Sequence, residues 1–218
     1  MKKGIIFDMD GVLVDSEPAI TYAAMEVLRR LGVEATEEEF KPYTGMGDDK
    51  FIGGVLESHG GVYRPEYKAE AYDIYCENAA ERVKVFAWSK EIIHALHDKG
   101  YAVCVASASD IRKVECNLAC IGVELSLFDA IVTGSDVKRK KPAPDIFLKA
   151  AQKAGLSPKN CLVVEDAVAG IMAAKAAGMT AVAVTTSFAE QALKEAGADV
   201  VLDSLMALPQ IADEVFGR

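Results

Sequence analysis

The chain has 218 residues, of which 51% are hydrophobic and 26% charged, a balance typical of a folded globular protein with a sizeable core. Its formal net charge of -9 argues against an exposed nucleic-acid-binding surface and favours a small-molecule partner. No apolar run is long enough to span a membrane, so a membrane-spanning protein is not expected either.

The first element is a short buried strand that ends in an acidic turn. The apolar run Gly4–Phe7 is followed by Asp8, Met9, Asp10 and Gly11. Two carboxylates about 5 Å apart repel each other by roughly 3 kcal/mol at an effective dielectric constant of about 20, so a cation is expected beside them. The alternative is a purely structural turn, because aspartate and glycine are common turn residues. This stretch alone does not separate the two interpretations.

Residues 16–83 show helical patterns throughout and no strand pattern. Helices are expected from Glu17 to Leu31, after the capping box of Thr36 and Glu39, after the glycine-rich segment 44–47, and from Arg64 to Val83. Gly45 and Gly47 precede the third of these helices, and two glycines before a helix are candidates to cradle a phosphate. The pattern is weaker than that of a true phosphate-binding loop.

From residue 84 onwards, strands and helices alternate, beginning with a helix that Ser89 is expected to cap. The expected strands cover residues 101–106, 130–133, 161–164, 180–184 and 199–202. Near-continuous apolar strands that alternate with helices predict a parallel sheet covered on both faces. We therefore expect an α/β fold with a Rossmann-like parallel-sheet core, formed by residues 1–15 and 84–218, and an inserted all-helical domain formed by residues 16–83.

Polar side chains follow several of these strands at the point where each strand ends. The set consists of Asp8, Asp10, Ser107, Glu165 and Asp166, with Lys141 in a loop between two strands. Ligands of open parallel sheets bind outside the carboxyl ends of the strands, where these side chains would meet. Four carboxylates need a divalent cation and a lysine to neutralise them, and a site with only oxygen ligands favours Mg²⁺. A magnesium ion, a lysine and a serine together would bind a phosphate.

Four segments occur in an order that resembles the haloacid dehalogenase-like hydrolase superfamily. They are DMDGVLVDS, VCVASAS, KKPAPDIF and VVEDAVAG. The chain looks most like the branch of small helical-capped phosphatases and β-phosphoglucomutases. The resemblance implies that Asp8 is the nucleophile and Asp10 the general acid and base. It also implies that Ser107 and Lys141 hold the transferring phosphoryl group.

The same resemblance implies a metal site and a cap. Mg²⁺ would be bound by Asp8, Asp166 and the carbonyl of Asp10, with Glu165 close by. The helical domain would close over the site as a cap. Substrate contacts are then expected from Ser107, Ala108 and Lys141 in the core, and from Gly45, Gly47 and Asp48 in the cap.

These features predict a Mg²⁺-dependent phosphatase that hydrolyses small phosphate monoesters, such as sugar phosphates, through an aspartyl-phosphate. The alternative within the same branch is a β-phosphoglucomutase. Relatives with that activity carry a histidine and an arginine at positions where this chain has Ile20 and Asp48, with Asp49 next. The two carboxylates of Asp48 and Asp49 would repel a second phosphate. They would equally serve to stabilise the start of the following helix.

Three other activities are less well supported by the residues. A dehalogenase needs no metal, and Asp10 and Asp166 argue against it. A phosphonoacetaldehyde hydrolase would use a cap lysine such as Lys50, but proteins of that type lack the second aspartate. A phosphoacceptor signalling module shares the acidic cluster, yet it is much shorter and has no helical insertion.

We expect a monomer in the cytoplasm. The apolar run after Met1–Lys3 ends at Asp8, too early for a secretion signal. Five cysteines are scattered without a paired framework, which indicates reduced thiols. The expected partner is a small phosphorylated metabolite, with neither nucleic acid nor a membrane involved.

Overall fold

The computed structural model describes residues 2–44 and 47–217. The chain divides into two compact units. An α/β unit comprises Met1–Asp15 with Val85–Arg218, and a helical unit comprises Ser16–Lys84.

The α/β unit is built on a parallel sheet. The strands in chain order are β1 (Gly4–Phe7), β2 (Val14–Asp15), β3 (Lys84–Val85), β4 (Ala102–Ala106), β5 (Ala130–Val132), β6 (Cys161–Glu165), β7 (Thr180–Val184) and β8 (Val200–Leu202). Six of them form one parallel sheet in the order β5-β4-β1-β6-β7-β8. Every residue of β1, β4 and β6 is buried, because helices cover both faces of the sheet. The predicted Rossmann-like core is confirmed.

Helices account for most of the remaining chain. In chain order they are α1 (Glu17–Arg30), α2 (Glu37–Phe40), α3 (Asp48–Ser58), α4 (Pro65–Arg82), α5 (Ser89–Asp98), α6 (Ile111–Ile121), α7 (Asp145–Lys153), α8 (Val168–Ala176), α9 (Glu190–Glu195) and α10 (Leu208–Phe216). The last six alternate with the strands of the sheet, as the sequence pattern predicts. None of the described helices combines the length and the apolar character needed to cross a bilayer.

The helical unit contains α1 to α4. The predicted capping box begins α2, where the Thr36 backbone N–H donates to Glu39 Oε2 over 2.7 Å. The rings of Phe40 and Phe51 lie 4.9 Å apart and join α2 to α3. Tyr75 of α4 is fully buried in the same unit. Its described residues form these helices and the turns and loops that join them, with Lys84 of β3 at the end, so the prediction of an all-helical insertion is confirmed.

Two details differ from the sequence-based expectations. The short strands β2 and β3 pair in a sheet of their own, although two residues each are too few to give a strand pattern. Ser89 does not cap α5, because Trp88 is the N-cap and the Ser89 hydroxyl donates to the Leu13 carbonyl over 2.6 Å.

The prediction of reduced thiols is confirmed for three cysteines. Cys104, Cys120 and Cys161 are free thiols.

Candidate active site

The carboxyl ends of three neighbouring strands bring the candidate residues together. β1 lies between β4 and β6, and Phe7 is in register with Val105 on one side and Val164 on the other. The Asp8 backbone N–H continues this register by donating to the Val164 carbonyl over 2.9 Å. As a result Asp8, Ser107 and the pair Glu165–Asp166 emerge at one edge of the sheet.

Lys141 joins two of the carboxylates. Its Nζ lies 2.5 Å from Asp8 Oδ1 and 2.6 Å from Glu165 Oε1. The other oxygen of Glu165 accepts hydrogen bonds from the backbone N–H groups of Asp166 and Ala167, both over 2.9 Å. Glu165 therefore uses both oxygens to hold the lysine and the following turn. The neighbouring Lys140 instead donates to the Gly134 carbonyl.

Asp8, Glu165 and Asp166 form a buried group of carboxylates suited to a metal ion. Each offers one oxygen, and these oxygens all lie within 4.8 Å of one another. Because both oxygens of Glu165 already accept hydrogen bonds, Asp8 and Asp166 are the better-placed ligands. A donor set made only of carboxylate oxygens matches the preference of Mg²⁺.

Burial and neighbouring negative charge disfavour the ionised forms of these carboxylates. Burial raises the pKa of Asp8 from 3.8 to about 7, with Glu165 and Asp10 acting in the same direction and Lys141 against them. Burial also raises the pKa of Asp166 well above its ordinary value, and Glu165 and Asp8 add to the effect. Burial alone would lower the pKa of Lys141, but the carboxylates of Asp8 and Glu165 outweigh it and raise that pKa.

Asp10 lies outside the carboxylate group. Its Oδ2 accepts a hydrogen bond from the Ser109 hydroxyl over 3.0 Å and lies 3.5 Å from the Ser107 hydroxyl. Its Oδ1 lies 3.2 Å from Nζ of Lys113. The Asp10 side chain is 31% exposed and Ser107 is fully buried. The structure thus gives the two aspartates of the DMD segment different surroundings, each with its own lysine.

Sequence reasoning missed several side chains of this edge. Ser109 and Lys113 contact Asp10, and the Ser187 hydroxyl in the loop after β7 donates to Asp166 Oδ2. Ser109 stands in the segment VCVASAS, two residues after Ser107. Lys113 was detectable as a lysine on the apolar face of α6. Ser187 carried no such signal, because only the fold brings the β7 loop next to Asp166.

Gly11 and Asp166 fit closely together. Gly11 has a φ of +80°, and a Cβ atom there would overlap the Asp166 carboxylate. Gly155 has a similar φ of +68°, but open space surrounds the position of its Cβ.

We expect Gly11→Ala to raise the Mg²⁺ concentration needed for half-maximal activity, because the new methyl group displaces Asp166. Gly155→Ala is the matched control, since both substitutions carry a similar left-handed backbone cost of about 1 kcal/mol. Magnesium titrations of the two variants check the expectation. Equal metal requirements would contradict it.

The raised pKa of Asp8 predicts a pH-dependent effect of Mg²⁺ on stability. In metal-free protein, the stability contributed by protonated Asp8 is present below about pH 4 and lost as pH rises through about 7. A metal ion bound by Asp8 would have to displace this proton. We therefore expect Mg²⁺ to raise the melting temperature more at pH 8 than at pH 5, and Asp8→Asn to lose much of that difference. Thermal melts with and without Mg²⁺ give the answer, and an equal gain at both pH values would refute the expectation.

The remaining candidate substrate residues, which lie outside the carboxylate group, are Gly45, Gly47, Asp48 and Ala108. Gly45 lies outside the described residues. Gly47 has a φ of +87° and is the N-cap of α3, and Asp48 accepts a hydrogen bond from the Tyr72 hydroxyl over 2.5 Å. Ala108 follows Ser107, and a Cβ on Gly134 would overlap its carbonyl oxygen.

Asp49, next to Asp48, is neutralised within the helical unit. It accepts hydrogen bonds of 2.7 Å from Lys68 and from the Tyr63 hydroxyl. Burial would raise the pKa of Asp49, but these two contacts outweigh it and lower that pKa. Much of the charge expected to repel a second phosphate is therefore compensated at Asp49.

The chain is similar to known proteins over nearly its whole length. The haloacid dehalogenase-like hydrolase family profile matches residues 5–184. The chain is 40% identical over 205 residues to the chloroplastic protein SUPPRESSOR OF QUENCHING 1 of Arabidopsis thaliana, which covers 92% of the chain but only 19% of that longer protein. It is 34% identical over 183 residues to the fructose-1-phosphate phosphatase YqaB of Escherichia coli strain K12, covering 82% of the chain and 94% of the relative.

A solved structure gives the same result for the fold. The structure of CbbY from Rhodobacter sphaeroides in complex with phosphate is 28% identical and superposes with a TM-score of 0.82. The superposition covers 95% of this chain and 96% of that one.

Proposed function

The chain belongs to the haloacid dehalogenase-like hydrolase family, and from this premise we propose a Mg²⁺-dependent phosphatase that hydrolyses small phosphate monoesters through an aspartyl-phosphate on Asp8. One observation carries the proposal. Asp8 lies at the end of β1 with Lys141 at 2.5 Å, beside the buried carboxylates of Glu165 and Asp166. This arrangement combines a nucleophile, a fixed cation and a place for a second cation.

Mg²⁺ would be held by the carboxylates of Asp8 and Asp166, together with the Asp10 carbonyl that the family pattern implies. When bound, it would neutralise charge that develops on the transferring phosphoryl group. Lys141 supplies a fixed positive charge to the same group, and Glu165 keeps that lysine in place. Buried Ser107 contributes its hydroxyl at the adjacent strand end.

In the first step, an Asp8 oxygen attacks phosphorus, and the bond between phosphorus and the ester oxygen breaks. Asp10 gives its proton to the departing alcohol. In the second step, Asp10, now a carboxylate, takes a proton from a water molecule that attacks the same phosphorus. The bond between Asp8 and phosphorus then breaks, which releases phosphate and restores both aspartates.

Sugar phosphates are the proposed substrates, with the helical unit as the cap that selects among them. The fructose-1-phosphate phosphatase of Escherichia coli supports this choice by its name and its 34% identity. The absence of a mutase-type histidine, with buried Ile20 in its place, favours hydrolysis over transfer to a second hydroxyl. Asp48 supplies no positive charge for a second phosphate.

The other activities remain less well supported by the geometry. Lys50, the candidate for a phosphonoacetaldehyde hydrolase, is 56% exposed and lies 3.7 Å from Glu57. An exposed, ion-paired lysine lacks the desolvation that activates an amine as a nucleophile. The helical insertion and the family membership speak against a short signalling module.

A screen of phosphate monoesters with Mg²⁺ tests the proposal. We expect phosphate release from hexose and hexitol phosphates, with β-glucose 1-phosphate and a catalytic bisphosphate assayed in parallel. Efficient formation of glucose 6-phosphate with little phosphate release would establish the mutase instead. A long-lived stoichiometric adduct with acetyl phosphate and no turnover would favour the signalling module.

A further inference from the structure

A lysine lies among the apolar side chains of α6. Lys113 is 4% exposed, and Val114, Leu118 and Ile121 are buried on the same helix. Lysine is almost never fully buried unless it is paired, because a desolvated ammonium group is costly. Its place on the inner face of α6 therefore calls for a specific partner with an acceptor oxygen.

Asp10, in the same α/β unit, provides this oxygen. Lys113 Nζ lies 3.2 Å from Asp10 Oδ1, while the Ser109 hydroxyl donates to Oδ2 over 3.0 Å. The side chain of Lys113 is 5% exposed and that of Asp10 is 31% exposed. A lysine fixed in the packed interior thus holds one oxygen of a carboxylate that opens towards solvent.

The two lysines of this edge contact different carboxylates. Lys141 contacts Asp8 and Glu165, whereas Lys113 contacts Asp10. The nucleophile and the acid–base residue are therefore each held by a different lysine from a different element. This division indicates that Lys113 serves the proton-transfer side of the reaction.

We propose that Lys113 is a positioning residue for Asp10, which fixes the direction of its carboxyl group jointly with Ser109. This inference rests on the proposed function. Lys113 contacts Oδ1 of Asp10 and Ser109 contacts Oδ2, so loss of either contact weakens the constraint on the direction of the carboxyl group. Proton transfer to a leaving alcohol depends on that direction, because donor and acceptor must come within hydrogen-bond reach.

The test compares substrates that differ in their need for a proton. In Lys113→Met, kcat/KM for a sugar phosphate should fall by roughly 10- to 100-fold, because the alkoxide leaving group needs Asp10. For 4-nitrophenyl phosphate it should fall less than about threefold, because the phenolate departs without a proton. The loss for the sugar phosphate should appear in kcat more than in KM, and Lys113→Arg should restore part of it.

Two further variants separate positioning from a general structural effect. Ser109→Ala removes only a hydroxyl and should show the same dependence on the leaving group. In the Asp10→Asn background, Lys113→Met should cause little additional loss, because its effect passes through Asp10. Lys175→Met is the control, because Lys175 pairs with Asp199 on the surface. This variant should leave kcat/KM unchanged for both substrates.

Several results would overturn the inference. One is an equal loss of kcat/KM for both substrates in Lys113→Met and in Ser109→Ala. Another is that Lys113→Met lowers kcat/KM by the same factor in the Asp10→Asn background as in the wild-type protein. If Lys113→Met proves unfolded by circular dichroism, Ser109→Ala and Lys113→Arg decide by the same comparison. Failure of the proposed function looks different, because the wild-type protein would then hydrolyse neither ester.

Discussion

Replacement of Asp8 by asparagine is expected to lower kcat by at least about 10⁴-fold, because an amide cannot form the phosphoenzyme. The loss should not reflect unfolding. Burial already disfavours the charged form of Asp8, so a neutral isostere removes a cost from the folded state. Lys141 also keeps its contact with Glu165. Steady-state assays and thermal melts of the purified variant check both statements.

Asp203→Asn is the matched control for this substitution. Asp203 also follows a strand of the sheet, but it is exposed and accepts a hydrogen bond from the Thr185 hydroxyl over 2.9 Å. We expect its kcat to stay within about twofold of the wild-type value, as is usual for surface substitutions remote from the chemistry. Near-native turnover by Asp8→Asn would remove Asp8 from the mechanism.

Removal of the metal is the second change with a large expected effect. Activity should vanish in EDTA and return when Mg²⁺ is added in excess, because Asp8 and Asp166 then regain their counter-charge. Excess Ca²⁺ should inhibit, since it prefers longer bonds and more ligands. Full activity in the presence of the chelator would refute the argument from the carboxylate group.

The partner of Asp166 offers a graded version of the same experiment. Ser187 donates to Asp166, and loss of such an outer partner typically weakens metal binding by roughly 10- to 100-fold. Ser187→Ala should therefore raise the Mg²⁺ concentration for half-maximal activity. Thr185→Ala is the control. It removes a hydroxyl from the same loop, but that hydroxyl donates to Asp203 and not to Asp166, so the metal requirement should stay unchanged.

The sheet and its edge could be predicted because the relevant signals are local. Buried parallel strands have continuous apolar sequences. Asp8 and Ser107 directly follow such strands, and Glu165–Asp166 lie at the end of another. Once the strands are placed side by side, the convergence of these residues follows from the topology. Lys141 was harder to assign, because it lies in a loop and its neighbour Lys140 has the same side chain.

The remaining contacts depend on packing between distant segments. Lys113 is separated from Asp10 by 103 positions in the chain, and Ser187 follows a strand that is not adjacent to β1. Sequence patterns show that α6 has a lysine on its inner face, but not which carboxylate it meets. Ser89 illustrates the opposite case, because a residue type favoured as a helix cap instead donates to a carbonyl at a remote turn.

Detection of the phosphoenzyme tests whether Asp8 is the nucleophile. Asp10→Asn should slow hydrolysis of the intermediate, so this variant is mixed with 4-nitrophenyl phosphate and Mg²⁺, quenched in acid and digested for mass spectrometry. The peptide containing Asp8 should gain the mass of one phosphoryl group, and hydroxylamine should remove it. Turnover without any label on Asp8, or with the label on another residue, would contradict this assignment.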